Sequence, residues 1–153
     1  MNDGDGSTPG SGIQMWLLML LWMLPVPGGL LAAEELLSTG TSWDGGAIAY
    51  PGGDPLVSSY RVLLDRDQET PMHCHPVPTL GYLVRGTLEI ETRVGDVLTL
   101  EAGESLVEVM NTVHRGRAVG GPVEIIVFYA GAAGVPNTIL AEGGAGSEPC
   151  LTD

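Results

Sequence analysis

The apolar positions of this chain fall into two regimes. Met15 to Leu24 form one continuous apolar run, broken by Pro25-Val-Pro-Gly-Gly. After Glu34 no long stretch carries helical periodicity, and short segments of alternating or continuous apolar residues take over. Residues 56–65, LVSSYRVLLD, are rich in β formers and predict a strand. LGYLVRG and TLEIET predict a strand pair about Gly86, in which Leu88 and Ile90 alternate with Glu89 and Glu91. RVGD is a hairpin turn leading into VLTL, and the turn EAGE separates VLTL from SLVEVM. PVEIIVFYA, residues 122–130, is apolar except for Glu124, which predicts a central strand. A further short strand is expected at Ala47–Tyr50. Strands recurring about every 8–12 residues with turns between them predict an all-β sandwich or barrel. Its core is expected over residues 38–138, with residues 139–153 as a flexible Gly/Ala-rich tail.

The first 33 residues read differently. An apolar run, then helix breakers, then Leu-Leu-Ala-Ala fits a secretory signal with cleavage near Ala32 or Ala33. The same segment, residues 15–33, would be a membrane anchor if left uncleaved. No Lys or Arg precedes Met15, and translation starting at Met15 rather than Met1 would remove the odd polar leader. Export places the mature chain, from about Glu34, in the periplasm or outside the cell.

Charge narrows the partners. The 153 residues carry a net charge of −13, with no lysine and six arginines. Nucleic acid and anionic lipid both require clustered cationic side chains, so neither is an expected partner. The two cysteines, Cys74 and Cys150, lie far apart and form no framework of the kind seen in small secreted domains. The expectation is two unpaired thiols, with Cys74 a small buried side chain.

Chemistry concentrates in TPMHCHPVPTLGYLVRG, residues 70–86. On a strand, His73 and His75 point to one face and Cys74 to the other. Two imidazoles side by side can share a transition metal. The chain has one other histidine, His114, placed after a strand and a turn at Asn111-Thr112, where a hairpin-rich fold can bring it back to the first pair. The competing reading makes His114 a polar loop residue beside Arg115 and Arg117. Thr79, Tyr82 and Met110 are expected to line such a site, although Tyr82 and Phe128 also suit a core and Met72 and Met110 ordinary packing. Glu104 and Glu108 are read as solvent-facing. No Ser-His-Asp set, Walker loop or dinucleotide fingerprint is present.

With these residues the chain resembles the cupin superfamily. The first cupin motif, G-x5-H-x-H-x3-E-x6-G, is met by Asp67 at the first glycine, His73, His75, Thr79 at the glutamate and Gly86. The second, G-x5-P-x-G-x2-H-x3-N, is met by Gly103, Val109 at the proline, Asn111 at the second glycine, His114, and Ala118 at the asparagine. All spacings hold. Sixteen residues separate Gly86 from Gly103, and the likeness spans about residues 50–130. It is strongest to small exported bacterial cupins. The resemblance implies a double-stranded β-helix, or jelly-roll barrel, whose histidines share a divalent metal: Fe, Mn, Ni, Zn or Cu. It also implies a homodimer and a small-molecule ligand. Thr79 offers no carboxylate, so the expected site is three neutral histidines, a strongly Lewis-acidic centre. Within the family such a centre serves dioxygenase-like oxidoreductases, and a non-catalytic metal- or ligand-binding module is the alternative.

Overall fold

The computed structural model describes residues 32–141 and Cys150. The apolar run at Met15–Leu24, and with it the signal or anchor segment, lies outside these residues. The described chain has nine strands and no helix. They are β1 (Pro55–Leu64), β2 (His73–Cys74), β3 (Thr79–Arg85), β4 (Thr87–Thr92), β5 (Val97–Glu101), β6 (Ser105–Val107), β7 (His114–Ala118), β8 (Val123–Ala132) and β9 (Ile139–Leu140).

The strands form two antiparallel sheets, ordered β1-β8-β3-β6 and β5-β4-β7-β2-β9. This is the expected all-β jelly roll. β8 is central, as its continuous apolar sequence requires. Alternation sets the inner faces. Leu88, Ile90 and Thr92 of β4 lie opposite Ala118, Gly116 and His114 of β7, and all six are buried. From the other sheet Leu83, Val123, Ile125, Val127 and Tyr129 meet them in one core. Burial of these side chains is the main favourable term for the fold, roughly 1.5–3 kcal/mol for each large aliphatic.

The motif positions reserved for glycine have a conformational reason. Gly86 and Gly103 have φ of 90° and 96°, and Asp67 and Asn111, at the other two glycine positions, have 60° and 54°. Asp and Asn are the side chains that best tolerate this left-handed geometry. Gly86 is also fixed by space, because a Cβ there would stand 2.5 Å from the Pro122 carbonyl oxygen.

Three expectations are corrected. Ala47–Tyr50 is not a strand; Ala47 makes only an isolated bridge to Thr41. The segment from residue 139 does not begin as a loose tail. Ile139–Leu140 adds β9 beside β2, and the Ala141 amide donates to the Met72 carbonyl at 2.9 Å. The cysteines are not free thiols, because Cys74 is disulfide-bonded to Cys150. Sequence distance hid this pairing. A far-C-terminal segment returns to β2, and the fully buried Cys74 faces it rather than the histidines.

Candidate metal centre

Strand register brings the three histidines together. His73 of β2 is the direct cross-strand partner of His114 of β7. Directly opposed residues hold their Cβ atoms about 4.5–5.5 Å apart. His75, two residues beyond His73, returns to the same face and is fixed by a bridge to Met110. The ring centroids are 4.9 Å apart for His73–His75, 4.5 Å for His73–His114 and 5.1 Å for His75–His114. One ligand atom from each ring lies within 4.8 Å of the other two.

Each ring is oriented by a backbone carbonyl. The Nδ1–H of His73 donates to Pro71 O at 2.7 Å, that of His75 to Asn137 O at 2.9 Å, and that of His114 to Thr112 O at 2.8 Å. A carbonyl only accepts, so the proton of each neutral ring sits on Nδ1 and Nε2 is left with a bare lone pair. Carbonyl support of this kind is what metal-binding histidines use to fix tautomer and aim.

Burial keeps the rings neutral. All three have pKa values below the ordinary histidine value, chiefly because burial penalises the cation; His75 is pushed down to about 3, with His114 adding repulsion.

The cavity between the sheets holds about 80 Å³ and is walled by the three histidines, Thr70, Glu108, Tyr129 and aliphatic side chains of both sheets. Tyr129 stands edge-on to His75, with centroids 5.5 Å apart. Glu108 is buried, and its Oε2 lies 3.6 Å from His114 Nε2. Among the described residues neither atom has a hydrogen-bond partner. The contact is not an ion pair, since burial raises the Glu108 carboxyl to about 7 and lowers His114. A buried carboxylate facing a bare imidazole nitrogen is costly; either the carboxyl takes up a proton, as its raised pKa reflects, or a cation between them removes the cost. The site therefore fits a divalent metal held by His73, His75 and His114.

The other expected lining residues stand elsewhere. Thr79 points inward but spends its hydroxyl on Val77 O at 3.0 Å and does not reach the cavity wall. Tyr82 pairs with Ile126 on the outer face of the four-stranded sheet. Phe128 is on that same face and 45% exposed. The Met110 sulfur accepts from the Ala49 amide at 3.3 Å, away from the cavity. Arg115 and Arg117 alternate with the inward residues of β7 and pair outside with Glu69, Glu91 and Glu89.

Three features of the site escape the sequence reading. Glu108 looked solvent-facing, yet the chain leaves β6 at Val107 and passes between the sheets. Leu106 to Val109 are all buried there and parity fails. The one available signal was a lone carboxylate inside LVEVM. Tyr129 follows from β8 alternation once the inner face of that strand is known. Asn137, in a stretch that reads as plain loop, orients His75 and gives its amide to the Ser58 hydroxyl at 2.8 Å. A larger groove of about 500 Å³ runs between residues 34–43 and β5–β6, but no histidine or cysteine lines it.

Known proteins agree with this architecture. Residues 60–129 match the family described as the cupin domain. The chain is similar in structure to the DMSP lyase DddQ from Ruegeria pomeroyi DSS-3, with a TM-score of 0.50 and 20% identity over 57% of this chain and 45% of that one. A structure of the DMSP lyases RdDddP and RnDddQII gives a TM-score of 0.50 and 19% identity over 56% and 44%. An oxalate oxidase in complex with the substrate analogue glycolate gives 0.46 and 22% over 55% and 45%. The matched region is less than half the length of each of these chains, and the likeness is one of fold. No curated protein matches the chain in sequence. Motif spacing, jelly-roll topology and family match converge, and the chain carries a domain of the cupin superfamily.

Proposed function

We propose that this protein is an exported cupin that holds one divalent transition metal on His73, His75 and His114 and binds a small polar molecule there as substrate. The observation that carries the reading is the set of three carbonyl-anchored imidazoles whose bare Nε2 atoms converge in one buried cavity. A metal bound there would supply Lewis acidity and, as iron, the oxygen chemistry of a dioxygenase-like oxidoreductase. The chain's own residues set the conditions. Pro71, Thr112 and Asn137 hold the rings in the ligating tautomer. Val62, Leu64, Ile90 and Val127 wall the cavity with apolar surface, which excludes water and strengthens every electrostatic contact inside. At about 80 Å³ the cavity is small, which favours a small occupant beside the metal.

Export draws support from the Cys74–Cys150 bond, because disulfides persist in oxidising compartments. Protein purified without chelator or nickel resin is expected to contain about one transition metal per chain by elemental analysis. Metal-free protein that titration cannot load would overturn the metal reading. N-terminal sequencing of the mature protein is expected to start near Glu34; a soluble cytoplasmic protein beginning at Met1 would overturn export.

A further inference from the structure

The three histidines leave one buried group of the cavity unused. Glu108 is 8% exposed and on the cavity wall, and among the described residues its Oε2 has no hydrogen-bond donor. A carboxylate buried only for the fold is ordinarily held by backbone N–H groups or arginine. Arg115 and Arg117, the arginines nearest in sequence, are committed to Glu69, Glu91 and Glu89 on the outer face. What Glu108 faces instead is the bare Nε2 of His114, 3.6 Å away. The Nδ1 protons of the three rings are already donated to carbonyls, so no ring offers Glu108 a hydrogen bond without taking up a second proton. The three nitrogen lone pairs converge, and the Glu108 oxygen stands beside that group against His114, where a cation would partner both.

Resting on the metal reading above, we propose that Glu108 is the fourth protein ligand of the metal. It supplies from the segment before His114 the carboxylate that Thr79 cannot supply from the first motif. Thr79 is excluded by its own geometry, with its hydroxyl on Val77 O and off the cavity wall. The consequence is a change in the charge of the site. Three neutral imidazoles leave a divalent ion at +2, and the carboxylate brings the complex to +1. A mixed nitrogen and oxygen donor set also suits manganese or iron better than a softer ion.

The test uses the whole mature protein, stripped by chelator and titrated with Mn²⁺ and Co²⁺ against a fluorescent chelator. Glu108→Gln keeps size and removes charge. It is expected to weaken Kd for both ions at least tenfold, since even outer-shell partners of metal ligands are worth roughly 10–100-fold. The visible spectrum of bound Co²⁺ is expected to change, because one donor atom is replaced. Thr79→Val is expected to leave both Kd and spectrum unchanged. In chelator Glu108→Gln is expected to melt no lower than the parent, since its carboxylate has no partner to lose. Parent-like affinity and spectrum in Glu108→Gln would overturn the assignment, and so would a lowered melting temperature without metal. If Glu108→Gln binds like the parent while His114→Ala does not bind, Glu108 alone fails. If the parent binds neither ion, the metal reading fails with it.

Discussion

Replacing Cys150 by serine is expected to lower the unfolding free energy of the metal-free protein by about 2–5 kcal/mol. The Cys74–Cys150 bond closes a sequence separation of 76 residues. Loop-closure entropy alone puts such a bond between roughly 3 kcal/mol for a 15-residue loop and 4.7 for a 100-residue loop. Local structure adds a functional cost. Cys74 sits between two of the three histidines, on a strand of two residues whose neighbour β9 is also only two residues long. Little besides the disulfide and a few ladder bonds keeps this edge closed. When it frays, His75 loses the Asn137 carbonyl that fixes its tautomer. Cys150→Ser should therefore weaken metal binding as well as the fold, although Cys150 touches no ligand. Chemical denaturation of parent and variant in chelator, with a reductant-treated parent as second arm, measures the first effect. Coincident midpoints in all three samples would show that the bond contributes nothing. Cys150 is the better site to change, because Cys74 is fully buried and its replacement would add a core defect.

Local patterning made most of the barrel legible, and long-range return made the rest illegible. The alternation of Leu88 and Ile90 with Glu89 and Glu91 shows which side of β4 faces in, and register then carries His114 inward beside it. The apolar run of β8 announces a central strand. The glycine positions of the two motifs remain readable when occupied by Asp67 and Asn111, since each needs only a residue that accepts positive φ. Strand parity likewise separates Cys74 from His73 and His75. What resists reading is whatever depends on chain that comes back from far away. β9, the carbonyl of Asn137 on His75 and the partner of Cys74 all come from beyond residue 136, where no periodicity marks structure. Glu108 resists for a related reason. Its inward position comes from a crossing between sheets, where four consecutive residues are buried and the rule of two no longer applies.

His114→Ala is expected to abolish the stabilisation that metal gives, and the increment on metal addition is the quantity that decides. A ligand that binds only the folded state contributes RT ln(1 + [L]/Kd), about 2.7 kcal/mol at a hundred times Kd. The parent should show a gain of this size with saturating Mn²⁺, Fe²⁺ or Zn²⁺, whichever the site prefers. His114→Ala should show almost none. The variant will also be less stable without metal, because His114 is 1% exposed and its loss enlarges the cavity that it lines. A fall in melting temperature alone therefore proves nothing, and the difference between chelator and metal must be compared. An undiminished increment in His114→Ala would remove His114 from the site. The same apparatus reads the imidazoles in the parent. Their folded-state pKa values lie below the ordinary 6.5, chiefly from burial, and reach about 3 for His75. In chelator the unfolded chain then takes up protons first as pH falls, so their contribution to stability is full above about pH 6.5. It is lost progressively below that value, down to about 3 for His75. Metal should raise the whole upper part of this curve by a constant increment, since the folded rings hold no extra proton there, and that increment should shrink only at lower pH, where the folded rings protonate. His114→Ala should lose both the increment and its own share of the slope.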